Sequence, residues 1–130
     1  MKKLIPLLFA SLAVHLDAEP VRVLFLGHES QHHNSNEYYP MLAKALGRDA
    51  IYFDYVTTVS AALDDAERLG RYDALLLYAN HPRLTAQQWE HLQAYVRSGG
   101  GFVPVHCASC LLYTSPSPRD RTRSRMPSSA

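Results

Sequence analysis

The chain is short of several things, and each shortage excludes a class of protein. It has two cysteines in 130 residues. One of them, Cys110, lies in a tail whose composition is foreign to the rest, so no intramolecular disulfide framework is available. No apolar stretch reaches the roughly 20 residues needed to cross a bilayer. Charge of one sign is also missing, since the formal net charge is +1. Residues 19–109 hold seven basic and ten acidic side chains, a net charge of −3. A mildly acidic body gives no electrostatic case for nucleic acid. What remains is 47% hydrophobic and 19% charged, the composition of one globular domain.

Both ends differ from this body. Lys2 and Lys3 precede an apolar run over residues 4–14, and His15-Leu16-Asp17-Ala18 follows. A charged start, a short apolar centre and a small residue at the end form the pattern of a secretory signal. Residues 1–18 are therefore expected to be a signal peptide, and the product secreted or periplasmic, with no membrane attachment after cleavage. Residues 110–130 turn abruptly to Ser, Pro and Arg with no hydrophobic periodicity. Cys110-Leu111-Leu112-Tyr113-Thr114-Ser115 can be spelled by the transposon end used in sequencing-library preparation. Pro116-Ser117-Pro118-Arg119-Asp120 can continue into the adjoining adapter. The tail is read as translated adapter, non-native and disordered, and is set apart from the domain as a cloning scar would be. That removes a Cys107–Cys110 CxxC pair and an arginine arm from consideration.

The body alternates. Val21 to Gly27 is a near-continuous apolar run, suited to a strand buried on both faces. A polar loop from His28 to Asn36 leads to a helix over 37–46, with Tyr38, Met41, Leu42 and Ala45 as its apolar stripe. Pro40 fits only a first turn, and Gly47 is the stop. A second strand follows over 50–56. Ser60 is expected to cap a helix running to Leu69, with Gly70 ending it. A third strand spans 73–79. Thr85 and Gln88 then form a capping box, with Leu84 and Trp89 as the staple. Trp89, Leu92 and Val96 make that helix's buried stripe, and Gly99 ends it. A fourth strand begins after the three glycines. This β-α-β-α-β-α-β order implies an α/β fold, a three-layer parallel sheet of flavodoxin-like type. The commonest small solution orders the strands 2-1-3-4 and puts the switch point between strands one and three.

Polar groups arrive at the strand ends. His28 ends the first strand, Asn80-His81 the third and His106 the fourth, and His32 and His33 sit in the first loop. Five of the seven histidines at positions 15, 28, 32, 33, 81, 91 and 106 therefore fall on strand ends or the loop after strand one. Imidazole donates, accepts, shuttles protons or binds metal near neutral pH. Three readings compete: a polar pocket for a hydroxyl-rich ligand, a metal site, and histidines that merely cap helices or bond backbone. No His-x-x-x-His pair on a helix and no carboxylate at a strand end supports a metal, so no cofactor is expected. Cys107 stands where α/β proteins place a nucleophile elbow, after a strand and before a helix. The competing reading of Cys107 is a buried small hydrophobe.

Three stretches together carry a resemblance: Val23-Leu24-Phe25-Leu26-Gly27-His28, Tyr72 through His81, and Gly99-Gly100-Gly101-Phe102-Val103-Pro104-Val105-His106-Cys107-Ala108-Ser109. They resemble the ThuA-like (trehalose utilisation) family, within the class I glutamine amidotransferase-like superfamily. The likeness spans about 21–109. It implies a role in carbohydrate metabolism on disaccharides or oxidised sugars, with a small-molecule sugar as partner. Candidate catalytic residues are His28, His106 and Cys107; candidate ligand-binding residues are His32, His33, Asn80, His81 and Ser109. If the protein is an enzyme, a sugar-processing hydrolase or lyase is expected rather than a glutamine amidotransferase. The glycines of the amidotransferase elbow are absent, and the His and Glu of a triad would fall beyond Ser109. The alternative is a non-catalytic carbohydrate-binding or accessory module using the same cleft. Residues 19–109 are read as the N-terminal part of such a domain, cut after its fourth strand. An exposed apolar edge there predicts poor solubility.

Overall fold

Four short apolar runs line up side by side because each can bury both faces only between neighbours. The structure, a computed structural model, describes residues 19–28, 34–79 and 83–109, and for Cys107 and Ser109 the backbone alone. Strands β1 (Val21–Leu26), β2 (Ile51–Val56), β3 (Ala74–Leu77) and β4 (Gly101–Pro104) form one sheet in the order β2-β1-β3-β4. All three pairings are parallel. The expected α/β architecture and strand order are what the chain adopts.

Right-handed crossovers divide the helices unequally between the two faces. Helix α1 (Ser35–Leu46) links β1 to β2 and stands alone on one face. Helices α2 (Val59–Leu63), α3 (Ala66–Leu69) and α4 (Ala86–Arg97) share the other. On that second face Leu24, Leu26, Leu63, Leu69, Leu75, Leu77 and Leu92 form one buried cluster. On the α1 face Phe25 is fully buried, edge-on to Tyr39, Phe53 and Tyr55 at ring separations of 6.2, 6.2 and 5.2 Å.

Several local expectations need correction. Helix α1 starts at Ser35, not at 37, so Pro40 lies beyond its first turn and gives no N–H to the Asn36 carbonyl. Its inward residues are Tyr39, Leu42, Ala43 and Leu46, one step round from the expected stripe, while Tyr38 and Met41 are exposed. Gly47 ends α1 in right-handed geometry, and the left-handed residue is Ala50, after a 3-10 turn over Gly47–Asp49. The single helix expected from Ser60 to Leu69 is two. Thr58 caps α2, accepting from the Ala61 N–H, and Asp65 caps α3, accepting from the Arg68 N–H. Asp65 offers the backbone a competing partner, so the helix restarts there, while the Asp64 carboxylate accepts from the Gln88 side-chain amide at 2.7 Å. The Thr85–Gln88 capping box forms in full, and Gly99 ends the α4 segment at φ +102°. The inward face of α4 is Gln88, Leu92 and Tyr95; Val96 is exposed. Both rotated stripes turn apolar side chains toward space that no described element fills.

Candidate functional site at the carboxyl ends of the strands

The register sets the site's geometry. Leu26 pairs with Leu77, and Leu77 with Pro104. His28, Ala79 and His106 each stand two residues beyond that level row. His28 and His106 therefore share one rim of one sheet, separated by the end of β3. At about 4.8 Å per strand their backbones are about 10 Å apart, more than one hydrogen bond can span. His28 is half-buried and His106 exposed. Asn80 and His81, expected between them, lie outside the described residues, as do His32 and His33. Cys107 and Ser109 enter a 3-10 turn over His106–Ser109, and their side chains lie outside the described set.

The sharp turn after β4 is centred on His106 and not on Cys107. His106 has φ 58°, a left-handed conformation that costs a residue with a Cβ about 1–2 kcal/mol. The strand ends at Pro104, so the chain reverses one residue earlier than the elbow reading required. Fully buried Ala108 supplies the small neighbour two positions on. Strain of this kind clusters at working sites.

A network that sequence reasoning missed fixes the other side of the rim. The His28 N–H donates to Ser35 Oγ at 2.6 Å, and the Ser35 N–H donates to the His28 carbonyl at 3.3 Å. Ser35 Oγ also lies 3.0 Å from that carbonyl and 2.8 Å from the Tyr55 hydroxyl oxygen. The Tyr55 hydroxyl donates to Asn36 Oδ1 at 2.6 Å. Ser35 has one hydroxyl hydrogen and cannot serve both acceptors. The His28 carbonyl already receives the Ser35 N–H, so full satisfaction sends the Ser35 proton to Tyr55. A directed chain results: His28 N–H to Ser35, Ser35 to Tyr55, Tyr55 to Asn36. Ser35 is wholly buried, and Tyr55 is held by stacking on Tyr39 at 4.5 Å and 13°. Gly27 makes this approach available, because a Cβ there would run into Ser35 Oγ and the Tyr55 ring. The usable signal was that glycine at the strand end, followed by a serine able to start a helix.

The remaining described histidine is structural. His91 Nδ1 lies 2.7 Å from the Leu63 carbonyl, which ties α4 to the end of α2. Among the described residues no group of three or more His, Cys, Asp or Glu is placed to hold a metal ion. No helix among them is long and apolar enough to cross a membrane.

A parallel sheet in the order 2-1-3-4, with polar groups at its carboxyl rim, defines a flavodoxin-like α/β domain, a fold class in which the switch point is the usual place for a ligand. The family described as ThuA, trehalose utilisation, matches residues 22–119. The chain belongs to that family. The match runs past Ser109 into the stretch whose spelling suggests adapter. A crystal structure of a ThuA-like protein from Bacteroides uniformis, at 2.30 Å resolution, is similar with a TM-score of 0.58 and 20% identity. The likeness covers 75% of this chain and 40% of that one, so this chain spans less than half the length of that protein. No curated protein matches.

Proposed function

We propose that this protein acts in carbohydrate metabolism, binding a disaccharide or an oxidised sugar across the carboxyl rim. The observation that carries the reading is the level placement of His28 and His106 on either side of the end of β3. Two histidines whose backbones stand about 10 Å apart can reach different hydroxyls of one extended ligand. His28 donates and accepts from a backbone locked by Ser35; His106 does so from a turn that lifts it out of the sheet. Asn80, His81, His32, His33 and Ser109 would add hydrogen bonds, and Cys107 would sit beside the ligand. The membership in a trehalose-utilisation family supports the ligand class. We place the protein outside the cytoplasm on the strength of residues 1–18; mass spectrometry of the exported product should find an N-terminus close to Glu19.

The test is calorimetric titration of the chain with trehalose, a second disaccharide and a 3-keto sugar. Binding of at least one is expected, lost in His28→Ala and His106→Ala while the fold persists by circular dichroism. Absence of heat with all three sugars would defeat the reading. Binding without turnover of the bound sugar would assign the cleft to a binding module instead of an enzyme.

A further inference from the structure

The sheet has two open edges, and they are built differently. No described strand lies beyond β4 or beyond β2. β4 is four residues long and ends in Pro104. The Gly101 N–H donates to the Asp73 carbonyl and the Val105 N–H to the Leu77 carbonyl, so odd positions of β4 face β3 and Pro104 stands at an outward one. A short strand with proline on its outer side resists further pairing. β2 has no such guard. It is six residues long, Ile51-Tyr52-Phe53-Asp54-Tyr55-Val56, with no proline, lysine or glycine. Every residue but Asp54 is β-branched or aromatic, the types that pair most readily as strands.

Register decides which groups of β2 are open. The Ala50 carbonyl accepts from the Val21 N–H and the Val56 carbonyl from the Gly27 N–H. Even positions of β2 therefore face β1, and the N–H and carbonyl groups of Ile51, Phe53 and Tyr55 face outward. The side chains of Phe53 and Tyr55 lie on the α1 face, against Phe25. Those of Tyr52 and Asp54 lie on the other face. There Asp54 accepts the Tyr72 hydroxyl at 2.6 Å, and Tyr52 is 56% exposed.

We propose that the β2 edge pairs with a second copy of this chain, antiparallel about a two-fold axis through Phe53. An antiparallel pair exchanges both bonds only between residues that face outward on both strands. On β2 those are Ile51, Phe53 and Tyr55. An axis through Phe53 matches Phe53 with Phe53 and Ile51 with Tyr55, and no other centre uses all three. Charge selects the same register. An axis through Asp54 would set the strand's one charged side chain against itself, a destabilising pair. The Phe53 axis instead sets Asp54 opposite Tyr52 of the second copy, so the exposed phenol ring is covered and neither carboxylate meets its like. The edge is thus complementary to itself, as a two-fold contact requires. The contact is one strand wide, which places it among small, reversible interfaces and not obligate ones. Because the two strands run in opposite directions, the rims of the two copies open at opposite ends of one continuous sheet, and neither copy blocks the other's strand ends.

The test is analytical ultracentrifugation of the full chain over a series of concentrations, paired with amide hydrogen exchange. A monomer–dimer equilibrium is expected. The amides of Ile51, Phe53 and Tyr55 should gain protection as the dimer fills. Those of Tyr52, Asp54 and Val56, bonded to β1 in either state, should not change. Tyr52→Asp puts a carboxylate opposite Asp54 of the second copy, once in each half of the dimer, and should weaken association about tenfold. Tyr52→Arg should hold or tighten it. Tyr52 is exposed in the single chain, so both variants should keep the fold, which circular dichroism checks. A chain that stays monomeric at every concentration would overturn the proposal. So would a dimer whose Phe53 and Tyr55 amides exchange as fast as exposed ones, or one that Tyr52→Asp and Tyr52→Arg weaken alike. A dimer broken by Val103→Lys on β4 and indifferent to Tyr52→Asp would overturn it in favour of the other edge.

Discussion

β1 and β4 are parallel strands of one sheet, read from equally apolar sequence, and they meet different fates. Leu24, Phe25 and Leu26 of β1 are wholly buried, whereas Val103 of β4 is 47% exposed. The difference is one of neighbours and not of composition. β1 has a strand on each side, α1 on one face and the leucine cluster on the other. β4 has β3 on one side and a half-empty groove on each face. Apolar burial is worth about 25 cal/mol per Å² only where a partner removes the water. β1 therefore gains packing energy on both faces, and the β4 side holds apolar surface that contributes little until it is covered.

The steepest way to break this comparison is to truncate one residue in each half. Phe25→Ala removes a ring packed edge-on against three others and should cost about 3–5 kcal/mol in denaturant unfolding. Val103→Ala, at the open edge, should cost about 0.5 kcal/mol or less. Equal losses would mean that β4 is already covered in solution. Next comes the close approach that shapes the rim. Gly27→Ala puts a methyl group against Ser35 Oγ and the Tyr55 ring, and should cost about 1–3 kcal/mol because Ser35 is wholly buried and Tyr55 is held by its stack on Tyr39 and its bond to Asn36. The same variant should shift the His28 amide resonance, whereas Gly47→Ala, with nothing near its Cβ, should do neither.

The same halves explain what could be read in advance. Strand order, crossover pattern and the α4 cap were legible because period-two and period-3.6 patterns and Thr-x-x-Gln are local signals. The helix faces were legible only to within one residue. In α1 the apolar residues Tyr38, Tyr39, Met41, Leu42 and Leu46 form a band wide enough for two partners. Periodicity cannot tell which facet of such a band meets the sheet, and here Tyr39 does while Tyr38 looks into the groove. Val96 in α4 was misplaced for the same reason. Of the rim, His28 and His106 could be placed from strand ends alone. Ser35, Tyr55 and Asn36 could not, because their contacts join residues up to 20 positions apart through geometry that no short pattern encodes.

A third expectation concerns pH and the opposite, amino-terminal end of the sheet. Burial raises the phenol of Tyr72 above its ordinary pKa, helped by its hydrogen bond to the Asp54 carboxylate at 2.6 Å. Burial also raises Tyr95, with the Asp73 charge adding to it. A phenol whose pKa is higher in the folded chain favours folding fully below the unfolded value of 10.0 and loses that contribution as pH rises through the folded value. The melting temperature should fall above pH 10.0. Tyr72→Phe should flatten the fall in part, at a cost near neutrality from the unpaired Asp54 contact. A profile unchanged by Tyr72→Phe would place the alkaline transition in Tyr95 or elsewhere.

A smaller effect than the losses at Phe25 and Gly27 is the most informative about the rim. His106 is one of two described non-glycine residues at positive φ, and it is exposed. Glycine adopts that conformation without a Cβ penalty. His106→Gly should therefore be more stable than His106→Ala by about 1 kcal/mol, since alanine keeps the strain and loses the imidazole. Selection for stability alone would favour glycine at a turn that three glycines already precede. If His106→Gly gains stability and loses sugar binding, the strain is kept for the imidazole it presents. If it gains stability and binds sugar as before, His106 is not part of the site, and the rim must be rebuilt around His28 and the network that holds it.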